Sequence, residues 1–436
     1  MHTRLLLCIV IFMVIFTSCA VQDGMPFYDM PAAFDIVEDP AYSMQSENNS
    51  LSFEDDIKEV TIVDEYLCGI LIAETITDNH PMTFDNFIDF VTGYMLLEWG
   101  ITVLEAEGGR LWATRIARDE YGQRYRTGEL LKSTDYGESW VMVYAFDQPV
   151  NAIYADGFGN IFVTTTLDRW APVGTGRMYR SSDSGETFQK VLDVLSGVPI
   201  RWNIASQDGT MFASEYGFKW EGDNARRIYR SLDFGETWQI VFEPEPIRNF
   251  HHHVTIITED GTVYQSIGDW GNSKIIRSTN NGESWETVYG SYLFQPTSAV
   301  VFDTHILWGL DGGPWNGVAR YDRITGEFTE SLRLTYPFAG SNYDMVNAHG
   351  VVYAMFLSYR GGQYDHPASI FFSTDEGYTW ELMGYIEKAP EFAIGFYHII
   401  VDDRFGYIDF GGPIYQDGIM VDFYRGTLRF ELLESC

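Results

Sequence analysis

The chain has 436 residues, with 62 acidic against 28 basic side chains and a formal net charge of −34. A surface of that sign repels phosphate backbones and anionic lipid, which argues against nucleic acid as a partner and against a bare bilayer as a docking surface. With 16% aromatic residues, 41 glycines and almost no long helical periodicity, the composition is that of an all-β protein with many turns.

The chain opens on an export signal. His2 and Arg4 precede an apolar run from Leu5 to Phe16, too short to span a bilayer comfortably and suited to the core of a signal peptide. Phe16-Thr17-Ser18-Cys19 then resembles a bacterial lipobox, in which Cys19 becomes the lipidated first residue; Phe and Ser depart from the commonest residues there, and an ordinary cleaved signal is the alternative. Either way the mature protein is expected outside the cytoplasm, as a cell-surface or periplasmic lipoprotein or as a secreted protein. Residues 20–57 are acidic, with Asp23, Asp29, Asp35, Glu38, Asp39, Glu54, Asp55 and Asp56 among them and no Lys or Arg, and read as a disordered tether. Residues 58–99 read as an extension packing on the domain that follows; within it 83–96 fits a short helix or, nearly as well, a strand.

From residue 100 to 436 one pattern organises the sequence. STDYGESW (133–140), SSDSGETF (181–188), SLDFGETW (231–238), STNNGESW (278–285) and STDEGYTW (373–380) are copies of one octapeptide. Their glycines are Gly137, Gly185, Gly235, Gly282 and Gly377; a degenerate copy places Gly326 in the long gap and Gly426 follows the last, giving spacings of 48, 50, 47, 44, 51 and 49. A fixed period of this size marks stacked supersecondary units. The box residues Asp135, Asp183, Asp233, Asn280 and Asp375 are expected to accept backbone N–H groups in a tight turn, and Gly to supply positive φ, so these Asp are read as structural.

The copies resemble Asp boxes, also called BNR repeats, of the β-propellers that include sialidases, xyloglucan-cleaving glycosidases, sortilin-type receptors and a photosystem assembly factor. The resemblance spans about 100–433 and implies the fold; its owners are too diverse to imply one function. The units themselves agree. Ahead of each box stands a strand, a Gly turn and a strand, as in NAIYADGFGNIFVTTT (151–166) and VTIITEDGTVYQS (254–266), then a variable loop and a third strand. Four antiparallel strands per unit and seven units predict a seven-bladed propeller, with six or eight blades open at the two ends.

In such a ring the loops between second and third strands and those between blades surround the channel mouth, where ligands bind. These loops carry Trp170, Trp220, Trp270 and Trp315, once per unit in four adjacent units, followed by Tyr359 and Arg360 in the next. Exposed aromatic planes stack on sugar rings, and Arg115, Arg201, Arg248 and Arg360 would fork onto a carboxylate or sulfate. Each Trp would equally serve to pack its own loop. Arg201 and Arg248 both follow Pro-Ile. The expected partner is therefore an extracellular glycan or protein, bound by a monomer tethered to the membrane through lipid alone, with no metal or cofactor. His251, His252 and His253 are adjacent, so a strand would alternate them and deny one ion all three. A sialidase-like hydrolase of acidic glycans is the competing reading. It requires three convergent arginines, a Tyr–Glu pair and a free Asp, but the Arg-Ile-Pro motif of that family is absent and no catalytic residue is assigned. Finally, Cys68 and Cys436 fall at the two ends of the expected ring, where a disulfide would bolt it shut; two free thiols are the alternative.

Overall fold

Apolar β-branched and aromatic runs broken by Gly turns fold as antiparallel hairpins from residue 101 to 431. The computed structural model describes residues 101–118, 124–167, 175–195, 197–217, 225–245, 250–268, 273–290, 294–311, 317–334, 340–357, 368–386, 395–416 and 419–432. All of them belong to one compact unit. The expectations for 1–100, for the lipidation residue Cys19 and for the cysteine pair Cys68 and Cys436 lie outside the described residues.

Six sheets have four strands in sequential antiparallel order. Blade 1 consists of Ile101–Glu107, Arg110–Arg118, Arg124–Ser133 and Val141–Ala145. Blades 2 to 6 span 150–193, 204–242, 252–290, 296–333 and 341–386. The expectation of seven four-stranded blades is thereby corrected to six. Among the described residues the remaining sheet has three strands, Gly395–Val401, Phe405–Gln416 and Ile419–Glu431. Its first strand lies between those of blade 6 and blade 1, which closes the ring.

The apolar cores lie between sheets rather than within them. Leu104, Trp112 and Leu130 of blade 1 pack on Val150, Ile153 and Val163 of blade 2. Phe212 and Ile228 of blade 3 pack on Val263 and Ile276 of blade 4. Ile101, Val103 and Leu111 of blade 1 pack on Ile400, Phe405 and Tyr407 of the last sheet. Burying one such side chain contributes about 1.5–3 kcal/mol, so a blade has little stability without both neighbours.

The octapeptide turn fits this packing. In its five intact copies the Ser hydroxyl accepts the Gly N–H at 2.8–2.9 Å. The Asp or Asn oxygen accepts the N–H of the residue four positions on at 2.8–3.0 Å. The residue before each Gly is left-handed, with φ of 56–60°, and the Gly follows at 78–88°. Glycine is needed for a second reason. A Cβ on Gly185 would stand 2.3 Å from the Trp112 ring, on Gly235 2.3 Å from Phe162, on Gly282 2.8 Å from Phe212 and on Gly377 2.5 Å from Leu307. Each of those four side chains is fully buried on the second strand of the preceding blade. A base on the third strand clamps the same joint: Lys132 Nζ donates to Ser184 O at 2.9 Å, Arg230 donates to Asn281 O, and Arg429 donates to Tyr136 O at 2.6 Å.

The last of these clamps helps to close the ring. Arg429 also meets Glu138 at 2.7 Å, Val103 N donates to Thr427 Oγ1 at 3.3 Å, and the Tyr136 and Phe405 rings meet edge to face with centroids 5.1 Å apart.

Gly326 separates the two demands on the turn glycine, since it has φ +76° but nothing within 4 Å of the place a Cβ would take. Gly326→Ala is expected to cost only the left-handed backbone penalty, about 1–2 kcal/mol. Gly185→Ala adds overlap with Trp112, for about 2–5 kcal/mol in all. Urea denaturation of both variants checks this, and equal losses would show that the inter-blade seat is not the constraint.

Candidate functional site

The first strands line the axis, and five blades and the last sheet depart from a regular ladder there in similar ways. The registers slip at Val103/Glu105, Val150/Ala152, His252/Thr255, Pro296/Ser298, Asn342/Asp344 and Phe396/His398. Blade 3 has instead a 3-10 turn, Arg201–Asn203, immediately before its first strand. Bulges bend a strand and re-aim its side chains. The result is a polar axis stitched from blade to blade. Asn203 Nδ2 donates to His252 O at 3.2 Å and His253 O at 3.0 Å, Thr164 Oγ1 to Pro199 O at 2.8 Å, and Thr297 Oγ1 to Asn342 O at 2.6 Å.

Toward the end where the inter-blade segments enter, a small, partly enclosed pocket opens to solvent. Its polar wall is Arg126, Asn151, Arg201, Trp202 and His398, with Leu104, Ile200 and Ile400 as the apolar part. Leu104 and Asn151 are bulge residues. Beneath the wall lie two carboxylates. Arg201 Nη2 is 3.5 Å from Glu105 Oε1, with 27% of the Arg and 6% of the Glu side chain exposed. Burial works against the Arg201 charge, but Glu105 and then Asp344 outweigh it and hold its pKa above the ordinary value. Trp202 Nε1 donates to Asp344 Oδ1 at 3.1 Å, and the Trp202 ring packs on the His398 ring at 4.8 Å. Asp344 also accepts Met345 N at 2.9 Å and Ile399 N at 3.0 Å, and His398 Nδ1 stands 4.0 Å from it. Burial is the largest influence on Asp344 and raises its carboxyl to about 6, against the pull of Arg201 and these donors.

Of the sequence candidates, the structure places Arg201 at this axis. Arg115 lies elsewhere, in a half-exposed pair with Glu129 at 3.1 Å, and does not line the pocket. Trp170, Trp220, Arg248, Trp270, Trp315, Tyr359 and Arg360 lie outside the described residues. The His run is buried and alternates: the His251 and His253 rings face each other at 4.5 Å, while His252 packs on Phe242 and Phe250. Burial, the largest cause, takes the His252 ring down to about 3. Asp135, Asp183, Asp233, Asn280 and Asp375 sit in the turns at the opposite ends of the blades. The Ser139 hydroxyl, ahead of the Ser133 hydroxyl, takes Asp135 down to about 2. Burial raises Asp233, but the Thr237 and Ser231 donors bring it down to about 2.

Sequence reasoning passed over Arg126, Trp202, Glu105, Asp344 and His398. Glu105 and Asp344 had only a weak signal, a carboxylate in mid-strand on first strands that line the axis (ITVLEAE, SNYDMVNA). Trp202 directly follows the candidate Arg201, and Arg126 stands near the start of the third strand of blade 1; residue type and spacing singled out neither.

No family model and no curated protein matches this chain. Among solved structures, YCF48 bound to D1 peptide aligns with a TM-score of 0.49 at 15% identity, over 78% of this chain and 96% of that one. A puromycin hydrolase aligns at 0.48 and 15%, over 72% of this chain and 50% of that one. The GH74 xyloglucanase of Xanthomonas campestris aligns at 0.47 and 14%, over 66% and 46%. Likeness of this order bears on neither ligand nor chemistry, and the propeller rests on the sheets themselves.

The buried carboxyl sets a pH dependence. A folded-state value near 6 lies above the ordinary carboxylate value of 3.8, so the folded protein holds a proton that the unfolded chain has released. The contribution of Asp344 to stability is full below about pH 4 and lost as pH rises through about 6. The turn aspartates have the opposite sign, their contribution being full above about pH 4 and lost toward pH 2. Denaturation midpoints across pH 3–8 should therefore fall between 4 and 6.5. Asp344→Asn should lower stability outright, since an NH₂ would face Ile399 N–H, yet flatten that segment of the profile. An unchanged slope in the variant would refute the assignment.

Proposed function

We propose that this chain is an exported recognition propeller, anchored by lipid on Cys19, that binds an extracellular glycan or protein segment bearing an anionic group at the axial mouth. On this reading the repeated octapeptides are Asp boxes, structural in every copy. The observation that carries it is the composition of the pocket wall. In a protein of net charge −34, that wall presents two guanidiniums, an imidazole, an indole and an amide, and among its described residues no carboxylate. Two guanidiniums and an indole in one wall suit a carboxylate or sulfate carried on a ring or an extended chain. The surrounding acidic body would repel an anion from elsewhere on the surface and leave this mouth as its place.

One observation favours the competing glycosidase reading. Asp344 is a carboxyl whose pKa near 6 suits a general acid. Against it, Asp344 is 2% exposed, does not line the pocket, and has its oxygens occupied by Trp202, Met345 and Ile399 donors.

Glycan and peptide arrays graded by carboxylate and sulfate content test the proposal. Binding is expected to follow anionic content and to weaken by about tenfold in Arg126→Met. Release of sugar from sialylated or uronic-acid substrates, abolished by Asp344→Asn, would transfer the assignment to the hydrolase. Anchoring is tested separately, since Cys19→Ala should move the protein from the membrane to the soluble fraction.

A further inference from the structure

The ends of the blades away from the pocket consist of first-hairpin turns and repeated turns, and two of these display phenylalanine to solvent. Phe158 tops the first hairpin of blade 2 between Gly157 and Gly159, whose φ values are +76° and +91°, and is 57% exposed. Its N–H is held by Asp156 Oδ1 at 2.8 Å, so the tip has a defined shape. Phe234 fills the left-handed position of the blade 3 turn, with φ 56° and 41% exposure. A bulky side chain is disfavoured there; the same position is Tyr136 in blade 1, Ser184 in blade 2 and Asn281 in blade 4, and the Phe234 ring lies over Gly209 of its own blade's first hairpin. The two rings meet edge to face with centroids 5.6 Å apart, and Leu232, 57% exposed, belongs to the same turn.

The surroundings are of one sign. Asp183, Glu186, Asp208, Glu236 and Glu259 are exposed in turns of blades 2 to 4 at this end. Lys132, Arg180 and Arg230, the bases that reach these turns, are already held by Ser184 O, Glu236 and Asn281 O. We propose that the Phe158–Phe234 knob is a docking site for a cationic polypeptide segment, which sets an apolar side chain against the rings and its Lys or Arg on the acidic rim. Exposed aromatics of this kind act as interface anchors, and the rim selects partners by charge. The same charge argues against the other occupants, since a second copy of this chain carries the same acidic surface and anionic lipid is repelled.

The test is fluorescence anisotropy of the full chain with a short labelled peptide of alternating lysine and leucine, its glutamate-for-lysine counterpart, and neutral and anionic lipid vesicles. Phe158→Ser combined with Phe234→Asn removes the knob, and the Asn suits the left-handed position as Asn281 does, so the melting temperature should not fall. Glu236→Gln with Asp208→Asn weakens the rim instead. The expected result is salt-sensitive binding of the lysine peptide, weakened about tenfold by the double Phe variant and by a smaller factor by the rim variant. Any one of four results overturns the proposal: no binding of the lysine peptide, equal binding of the glutamate peptide, unchanged affinity in the Phe variant, or a knob that instead mediates vesicle binding or self-association.

Discussion

The seating of a large second-strand side chain beneath the glycine of the next blade's turn is the interaction on which the ring depends. Trp112 under Gly185, Phe162 under Gly235, Phe212 under Gly282 and Leu307 under Gly377 are the same joint made four times. The joint explains why the turn is invariant in type while the surrounding loops are not. The plug needs room that only a residue without Cβ provides, the room is needed at a left-handed backbone position, and the Ser and Asp hydrogen bonds hold that position. It also explains where hydrophobic free energy accumulates. Because the cores lie between sheets, each sheet is stabilised by its neighbours, and the weakest joint governs the ring.

Closure follows from the same logic. Blade 1 must receive a plug from the last sheet, and Tyr407 and Phe405 pack against Ile101, Leu111, Tyr136 and Trp140 in that role. Arg429 then repeats at the seam the clamp that Lys132 and Arg230 provide elsewhere. Among the described residues the final sheet makes this joint with three strands, Phe405 and Tyr407 coming from its second and Arg429 from its third. Near the axis the requirement reverses. Inner strands converge, large side chains no longer fit in every blade, and bulges with small polar side chains take over. The buried polar groups this creates must find partners, and Asn203, Thr164 and Thr297 supply them by donating to carbonyls of neighbouring blades.

The fold was legible because its joint is written locally. Eight consecutive residues hold the turn, and their recurrence reports the ring. The base before the Ser, in Lys132-Ser133, Arg180-Ser181, Arg230-Ser231 and Arg277-Ser278, was equally visible and went unread, although it accounts for several of the 28 basic residues. The axial site was much less legible. Glu105, Arg201, Asp344 and His398 come from four units spread over about three hundred residues, and no local spacing announces that a ring brings them to one axis. The blade count erred at the last sheet, where Gly426, which kept the repeat spacing, lies within the strand Ile419–Glu431 and not in a turn.

A turn of this kind leaves one position free. The Ser, Asp and Gly are fixed by hydrogen bonds and by the plug, but the left-handed residue before the Gly varies, being Tyr136, Ser184, Phe234, Asn281 or Glu376. Outside the closing joint, where Tyr136 packs on Phe405, substitution there changes what one face of the ring displays without disturbing a core cluster. The channel face has no such freedom, since Arg201, Glu105 and Asp344 compensate one another and removing one strands the others in low dielectric. The two faces are thus open to change on different terms. The pocket can vary only as a set, whereas the turn face can vary one residue at a time, and an aromatic retained there against backbone preference is better explained by what it meets than by how it folds.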